Sequence, residues 1–241
     1  KEQYPTVRPG KQPYKIILDE SAMKNDGTTF YDFDIFKYLK KRKINNPAGE
    51  WFKCDLKNVK AAIVALRNRK DNEDQRVYDF KMRPEQLLAV KKTSNYFKIA
   101  KKADRKKTPH FLWNAKMRFG KTFAAYQLAK KENWKRILVL TFKPAVEHAW
   151  EEDLLLHKDF EGWQFISKKN PRNENLDKKK PIICFGSFQD YLGKNKVGGI
   201  KPKNEWVHTI NWDCVILDEY HFGAWRENAK ELINVEGKAE A

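Results

Sequence analysis

Gly120, Lys121 and Thr122 stand in succession, and a small residue, Ala115, is set before them across Lys116, Met117, Arg118 and Phe119. That order of residue types has a chemistry. A tight loop turned by a glycine presents consecutive backbone N–H groups, and the positive end of a following helix adds to them, so the loop is an anion site suited to phosphate groups. Lys121 brings a point charge to the β- and γ-phosphates of a nucleotide, and the Thr122 hydroxyl is a ligand for Mg²⁺. The motif prefers glycine at its first position; Ala115 serves there provided the backbone needs no positive φ. A second constellation, Asp218-Glu219-Tyr220-His221, lies far downstream. Asp218 would hold the other side of the Mg²⁺, and Glu219 would orient and polarise the attacking water.

Such residues work only if secondary structure delivers them. The loop follows an apolar run, His110 to Asn114, that reads as a strand, and leads into helix-patterned Thr122 to Lys130. The acidic tetrad follows Asp213 to Leu217, a short apolar run that reads as a buried strand, which puts its carboxylates where a sheet ends. From Phe80 onward helix and strand patterns alternate. Pro84 opens a helix that continues to about Ala103, Arg136–Thr141 is a second apolar strand, Ala145 to His157 a further helix, and Pro181–Phe185 another buried strand beyond the charged loop Lys168 to Lys180. This alternation predicts an α/β fold with a mainly parallel sheet and helices on both faces. Residues 1–69 read as a separate small α+β unit with a strand at Tyr14 to Leu18 and helices at Phe33 to Leu39 and Leu56 to Leu66. Arg69 to Arg76 holds no apolar residue, so 70–79 reads as a charged linker and 80–241 as the nucleotide-binding domain.

Lysine and arginine number 49 against 32 aspartate and glutamate, a net charge of +17 that points to a polyanionic partner more than to any fold. The eight tryptophans include candidates for base stacking, with most expected in the core or at its rim. Cys54, Cys184 and Cys214 show neither metal-ligand spacing nor a disulfide framework, which suits a reducing cytoplasm. No apolar run approaches a membrane span, and the residues from Lys1 do not read as a charged-then-apolar signal. Lys1 in place of Met suggests a piece of a longer or processed protein.

Taken as an ordered set, these motifs resemble the first RecA-like lobe of a superfamily 2 helicase or translocase of the DEAD/DEAH-box (DExH) type, nearest the motor subunits of restriction enzymes, over about Phe80 to Asn234. Arg83-Pro84-Glu85-Gln86 is similar to the Q motif, which implies that Gln86, with Arg83 beside it, reads the adenine edge and confers preference for ATP. Thr141-Phe142-Lys143-Pro144 and Gly186-Ser187-Phe188-Gln189 resemble the segments that grip a nucleic-acid backbone, and His221 would relay nucleotide state to that side. The resemblance implies ATP and Mg²⁺ as cofactors, DNA as substrate with RNA as the alternative, a second RecA-like lobe elsewhere in the parent, and restriction-modification subunits as partners. A lone lobe holds half an ATP site, so this chain by itself is expected to bind nucleotide weakly and hydrolyse it slowly. The N-terminal unit is similar, more faintly, to the C-terminal half of a GIY-YIG nuclease domain, in which a glutamate like Glu50 ligates the metal. The strands that name that family and its arginine have no counterpart here, so Glu50 reads first as a surface carboxylate and no metal-dependent DNA nicking is expected.

Two other classes compete. A basic nucleic-acid-binding module would keep the phosphate-loop fold without turnover, and a P-loop kinase or switch would act on a small molecule. The Q-like segment and the net charge of +17 argue against the kinase.

Overall fold

Arg136–Thr141 is buried from its second residue to its last, and it forms β1, the centre of the sheet. Its side chains alternate between two apolar layers. Ile137 and Val139 face Phe123, Tyr126, Trp150, Leu154 and Phe160 on one side, while Leu138 and Leu140 face Phe188, Tyr191 and Val207 on the other. A strand sandwiched in this way must be apolar throughout, which is why the run Arg-Ile-Leu-Val-Leu-Thr lacks the polar alternation of a half-exposed strand.

These features come from a computed structural model that describes residues 15–47, 49–104, 106, 108–168, 176–177, 179–192 and 202–218. The chain divides into two units, Lys1–Tyr78 and Asp79–Ala241.

In the first unit, α1 (Asp32–Lys41) buries Leu39 and α2 (Leu56–Asn68) buries Ala61 to Ala65. Tyr14 to Leu18 reads as a strand in the sequence. Tyr14 lies outside the described residues, and Lys15 to Leu18 have no strand pairing, with Ile16 and Ile17 exposed. The polar stretch that reads as a linker is built into the unit instead. Asn72 and Arg76 are buried, Asn72 Nδ2 donates to the carbonyl of Ala61, and its Oδ1 accepts from the Arg76 N–H at 2.8 Å. The carbonyl of Asn72 accepts from Arg42 Nη2 and from the Tyr38 hydroxyl, which ties the stretch to α1.

The second unit opens with α3 (Pro84–Ala103), which lies against α4 (Lys121–Lys131) through Val90, Ala124 and Leu128. After β1 come α5 (Glu147–Leu156), β2 (Gln164–Ile166), β3 (Ile182–Ser187), α6 (Phe188–Leu192), α7 (Glu205–Thr209) and β4 (Cys214–Asp218). The sheet runs β2-β3-β1-β4 with every pairing parallel. Helices α4 and α5 cover one face and α6 and α7 the other, an α/β arrangement of the RecA-like kind.

One expected strand does not form. His110 to Asn114 carries no regular secondary structure: a strand exists only by pairing and, among the described residues, no edge is paired with it. Trp113 packs instead beside α3 and α4, and its indole N–H donates to Thr93 Oγ1 at 2.7 Å.

His157 closes the far end of α5. Its ring is fully buried among Phe80, Phe123 and Phe160, with Nδ1 accepting from the Asp159 N–H, so Nε2 carries the proton and donates to the Phe80 carbonyl at 2.9 Å. Burial holds this imidazole below the usual histidine range.

Candidate phosphate site

The loop closes with a turn in which the Phe119 N–H meets the Lys116 carbonyl, and then enters α4 through Gly120. Arg118 and Gly120 both take left-handed backbone, with φ of 62° and 77°. Left-handed residues within a short loop turn successive N–H groups toward a common concavity, the geometry that receives an anion. Ala115 is not among the positive-φ residues, so the missing glycine at the first position costs no backbone strain. The first turn of α4 carries no acidic residue and its last turn carries Lys130 and Lys131, which leaves its N-terminal partial positive charge available to an anion. Lys121 and Thr122 are half-buried at that end, while Met117 stands in solvent.

Arg83 and Gln86 hold this loop from outside. Arg83 Nη2 donates to the carbonyls of Arg118 (2.7 Å) and Phe119. Gln86 is buried, and its Nε2 donates to the Phe119 carbonyl at 2.7 Å while its Oε1 accepts from the Arg83 N–H at 2.8 Å. The same carboxamide completes a capping box at the start of α3, so one side chain serves both the helix and the loop. The approach is close: a Cβ built on Gly120 would lie 2.6 Å from Gln86 Nε2.

Across the sheet, Thr141 is in register with Ser187 on one side and Asp218 on the other. The three residues form one row at the C-terminal edge of the parallel strands, the edge where open α/β sheets bind ligands. Asp218 Oδ2 accepts from the indole N–H of buried Trp150 at 3.0 Å. Thr141 and Ser187 turn their hydroxyls inward. Thr141 Oγ1 accepts from the Lys143 N–H, and Ser187 Oγ donates to the Asp190 carboxylate and accepts from the Asp190 N–H. Phe142 stacks on Phe188 with centroids 4.1 Å apart, which fastens the two strand-end segments together. Lys143, Pro144 and Gln189 are exposed on those segments. Gly186 is there for packing, since a Cβ would fall 2.0 Å from the Tyr191 ring.

Glu219, Tyr220 and His221 lie outside the described residues. Glu50 is exposed, and among the described residues no group of three or more His, Cys, Asp or Glu is placed to hold a metal. Mg²⁺ takes hard oxygen donors and is commonly held by one or two carboxylates together with nucleotide phosphates; a hydroxyl at Thr122 and a carboxylate at Asp218 are donors of that kind. Burial pushes the thiols of Cys184 and Cys214 up to about 12, so neither is a nucleophile at neutral pH. The residues that motif reading passed over are Trp150 and Tyr126. Their apolar spacing marks them as core, and nothing in it distinguishes a tryptophan that also donates to a carboxylate.

Residues 79–239 match the family model described as "Type III restriction enzyme, res subunit". The chain is also similar to a protein of Mycoplasma pneumoniae named "Putative type II restriction enzyme and methyltransferase", with 35% identity over 150 residues. That match takes in 59% of this chain and 20% of the relative, so the chain spans about a fifth of the relative's length. No solved structure matches the chain. Among the described residues, no helix is long and apolar enough to cross a membrane.

Proposed function

The chain belongs to the family of type III restriction enzyme res subunits, and on that premise we propose that residues 80–241 are the first RecA-like lobe of an ATP-dependent DNA helicase or translocase of restriction or defence type. Residues 1–78 are an accessory unit in which Glu50 is a surface carboxylate. Lys121 and the loop N–H groups from Ala115 to Gly120 hold the nucleotide phosphates. Thr122 and Asp218 would hold Mg²⁺, which when bound neutralises charge developing on the transferred phosphate. Glu219 orients the attacking water, Gln86 and Arg83 set the loop and the base side, and His221 couples the site to the strand-binding edge. Exposed Lys143, Pro144 and Gln189, with the backbone around Thr141, Phe142 and Ser187, face the nucleic-acid backbone, and the +17 net charge supports its attraction.

The observation that carries this reading is the fastening of the loop: a glycine-turned anion loop is held by Arg83 and Gln86 ahead of a helix free of acidic residues at its start. Lys121→Ala tests it. Loss of Mg²⁺-ATP binding with DNA affinity largely kept is the expected result. If the parent chain binds no nucleotide at millimolar concentration, the domain is a basic nucleic-acid-binding module instead.

A further inference from the structure

We propose that Trp150 is a positioning residue for Asp218: its indole N–H fixes one carboxylate oxygen and so sets the direction in which the other can meet a metal ion. This rests on the reading of Asp218 as a Mg²⁺ ligand. Trp150 is 2% exposed, and its Nε1 lies 3.0 Å from Asp218 Oδ2. A buried indole N–H loses a hydrogen bond if its acceptor turns away, so the bond resists rotation of the carboxylate. The indole is itself held. Its backbone carbonyl accepts the hydroxyl of fully buried Tyr126 at 2.8 Å, and the Tyr126 ring meets it edge to face at 5.4 Å.

Tyr126 lies on α4, one turn beyond Thr122. The chain Asp218, Trp150, Tyr126 therefore links the acid at the end of β4 to the helix that carries the hydroxyl donor. Each partner lies on a different element, and α5 supplies the middle one. Hydrogen-bond partners of ligating carboxylates commonly alter metal affinity by about ten- to a hundredfold. A tryptophan retained only for packing would have no such effect.

Trp150→Phe on the full chain, read with and without Mg²⁺, separates the two: phenylalanine keeps one aromatic ring in the core and removes the donor, and the packing lost with the second ring acts equally in both conditions. Binding of a fluorescent ATP analogue is measured against Mg²⁺ concentration and again in excess chelator. The half-saturating Mg²⁺ concentration is expected to rise about tenfold, with chelator-phase binding unchanged. Tyr126→Phe, which frees the Trp150 carbonyl, should give a smaller rise in the same direction. Combined with Asp218→Asn, Trp150→Phe should add no further loss of metal dependence. Equal losses with and without Mg²⁺, additivity with Asp218→Asn, or an unchanged Mg²⁺ requirement would each overturn the positioning role while leaving the nucleotide site standing. A parent chain whose nucleotide binding does not respond to Mg²⁺ would instead overturn the assignment of Asp218, and the inference with it.

Discussion

Gln86 Nε2 and the carbonyl oxygen of Phe119 lie 2.7 Å apart, so the helix that opens at Pro84 and the loop that ends at Gly120 share one hydrogen-bond network. The resemblance to a Q motif implies a residue that reads the base. The contacts of Gln86 give it a second task, because its nitrogen is turned to the loop and its oxygen to the Arg83 N–H. Gln86→Ala would leave the Phe119 carbonyl one donor short and break the capping box. The expected outcome is about 1–2 kcal/mol lost from stability in a denaturant titration. ATP and GTP should both bind more weakly, since the loop serves both. A loss confined to ATP, with GTP affinity and stability intact, would assign Gln86 to the base alone.

Gly120 sits against that same carboxamide. Alanine there would adopt a left-handed φ of 77° and place its Cβ 2.6 Å from Gln86 Nε2. The backbone strain alone is about 1 kcal/mol, and the displaced carboxamide adds the loss of its loop bond. Gly120→Ala is expected to lower stability by about 1–3 kcal/mol and to abolish measurable nucleotide binding. The double variant with Gln86→Ala should cost less stability than the sum of the two, because the crowding disappears with the longer side chain while the φ strain remains. Strict additivity in chemical denaturation would refute the shared contact.

Where the sequence was legible, one physical requirement dominated the choice of residue. Arg136–Thr141 is sandwiched by helices on both faces, so its apolar run marks its bounds directly. Gly120 is needed for a left-handed turn, and the glycine in the motif announces it. His110 to Asn114 misled because a strand depends on a neighbour that a local window does not contain. The stretch around Asn72 misled for a different reason: polar side chains that satisfy buried backbone groups have the same composition as solvated ones. Thr141 and Ser187 stand at the strand ends that their motifs imply, yet both hydroxyls make local turn and cap bonds. The Trp150 bond to Asp218 spans 68 positions, and no spacing rule reaches that far.

Asp153 provides a test by pH. Burial, and then Glu152 beside it, push its carboxyl up to about 6 from the ordinary 3.8. The folded state thus holds this proton more tightly than the unfolded chain. The stability it contributes is fully present below pH 3.8 and is lost as pH rises through 6. His157 acts in the opposite sense, since its depressed value favours folding above 6.5 and loses that contribution as pH falls. Comparing Asp153→Asn with the parent isolates the first group. Unfolding free energies from denaturant titration should differ little at pH 3.5 and diverge in favour of the variant above pH 6, by an amount on the order of 1 kcal/mol after discounting for partial exposure. A difference that stays constant across this range would mean that Asp153 is well solvated in the native state.

Lys143 and Ser187 stand on the two strand-end segments joined by Phe142 and Phe188, and their surroundings predict opposite phenotypes. Ser187 is buried, with its hydroxyl and the Asp190 carboxylate in reciprocal bonds at the start of α6. Ser187→Ala should cost about 1 kcal/mol in stability as a lost cap while DNA affinity stays within about twofold. Lys143 is exposed beside the sheet edge that carries Asp218. Lys143→Ala should leave the melting temperature unchanged, weaken binding to DNA of any sequence, and reduce the slope of log affinity against log salt by about one. Fluorescence anisotropy across a salt series reads both variants. If Ser187→Ala weakened DNA at unchanged stability and Lys143→Ala had no effect on the salt slope, the nucleic-acid contact would run through the capped hydroxyl and not the exposed charge.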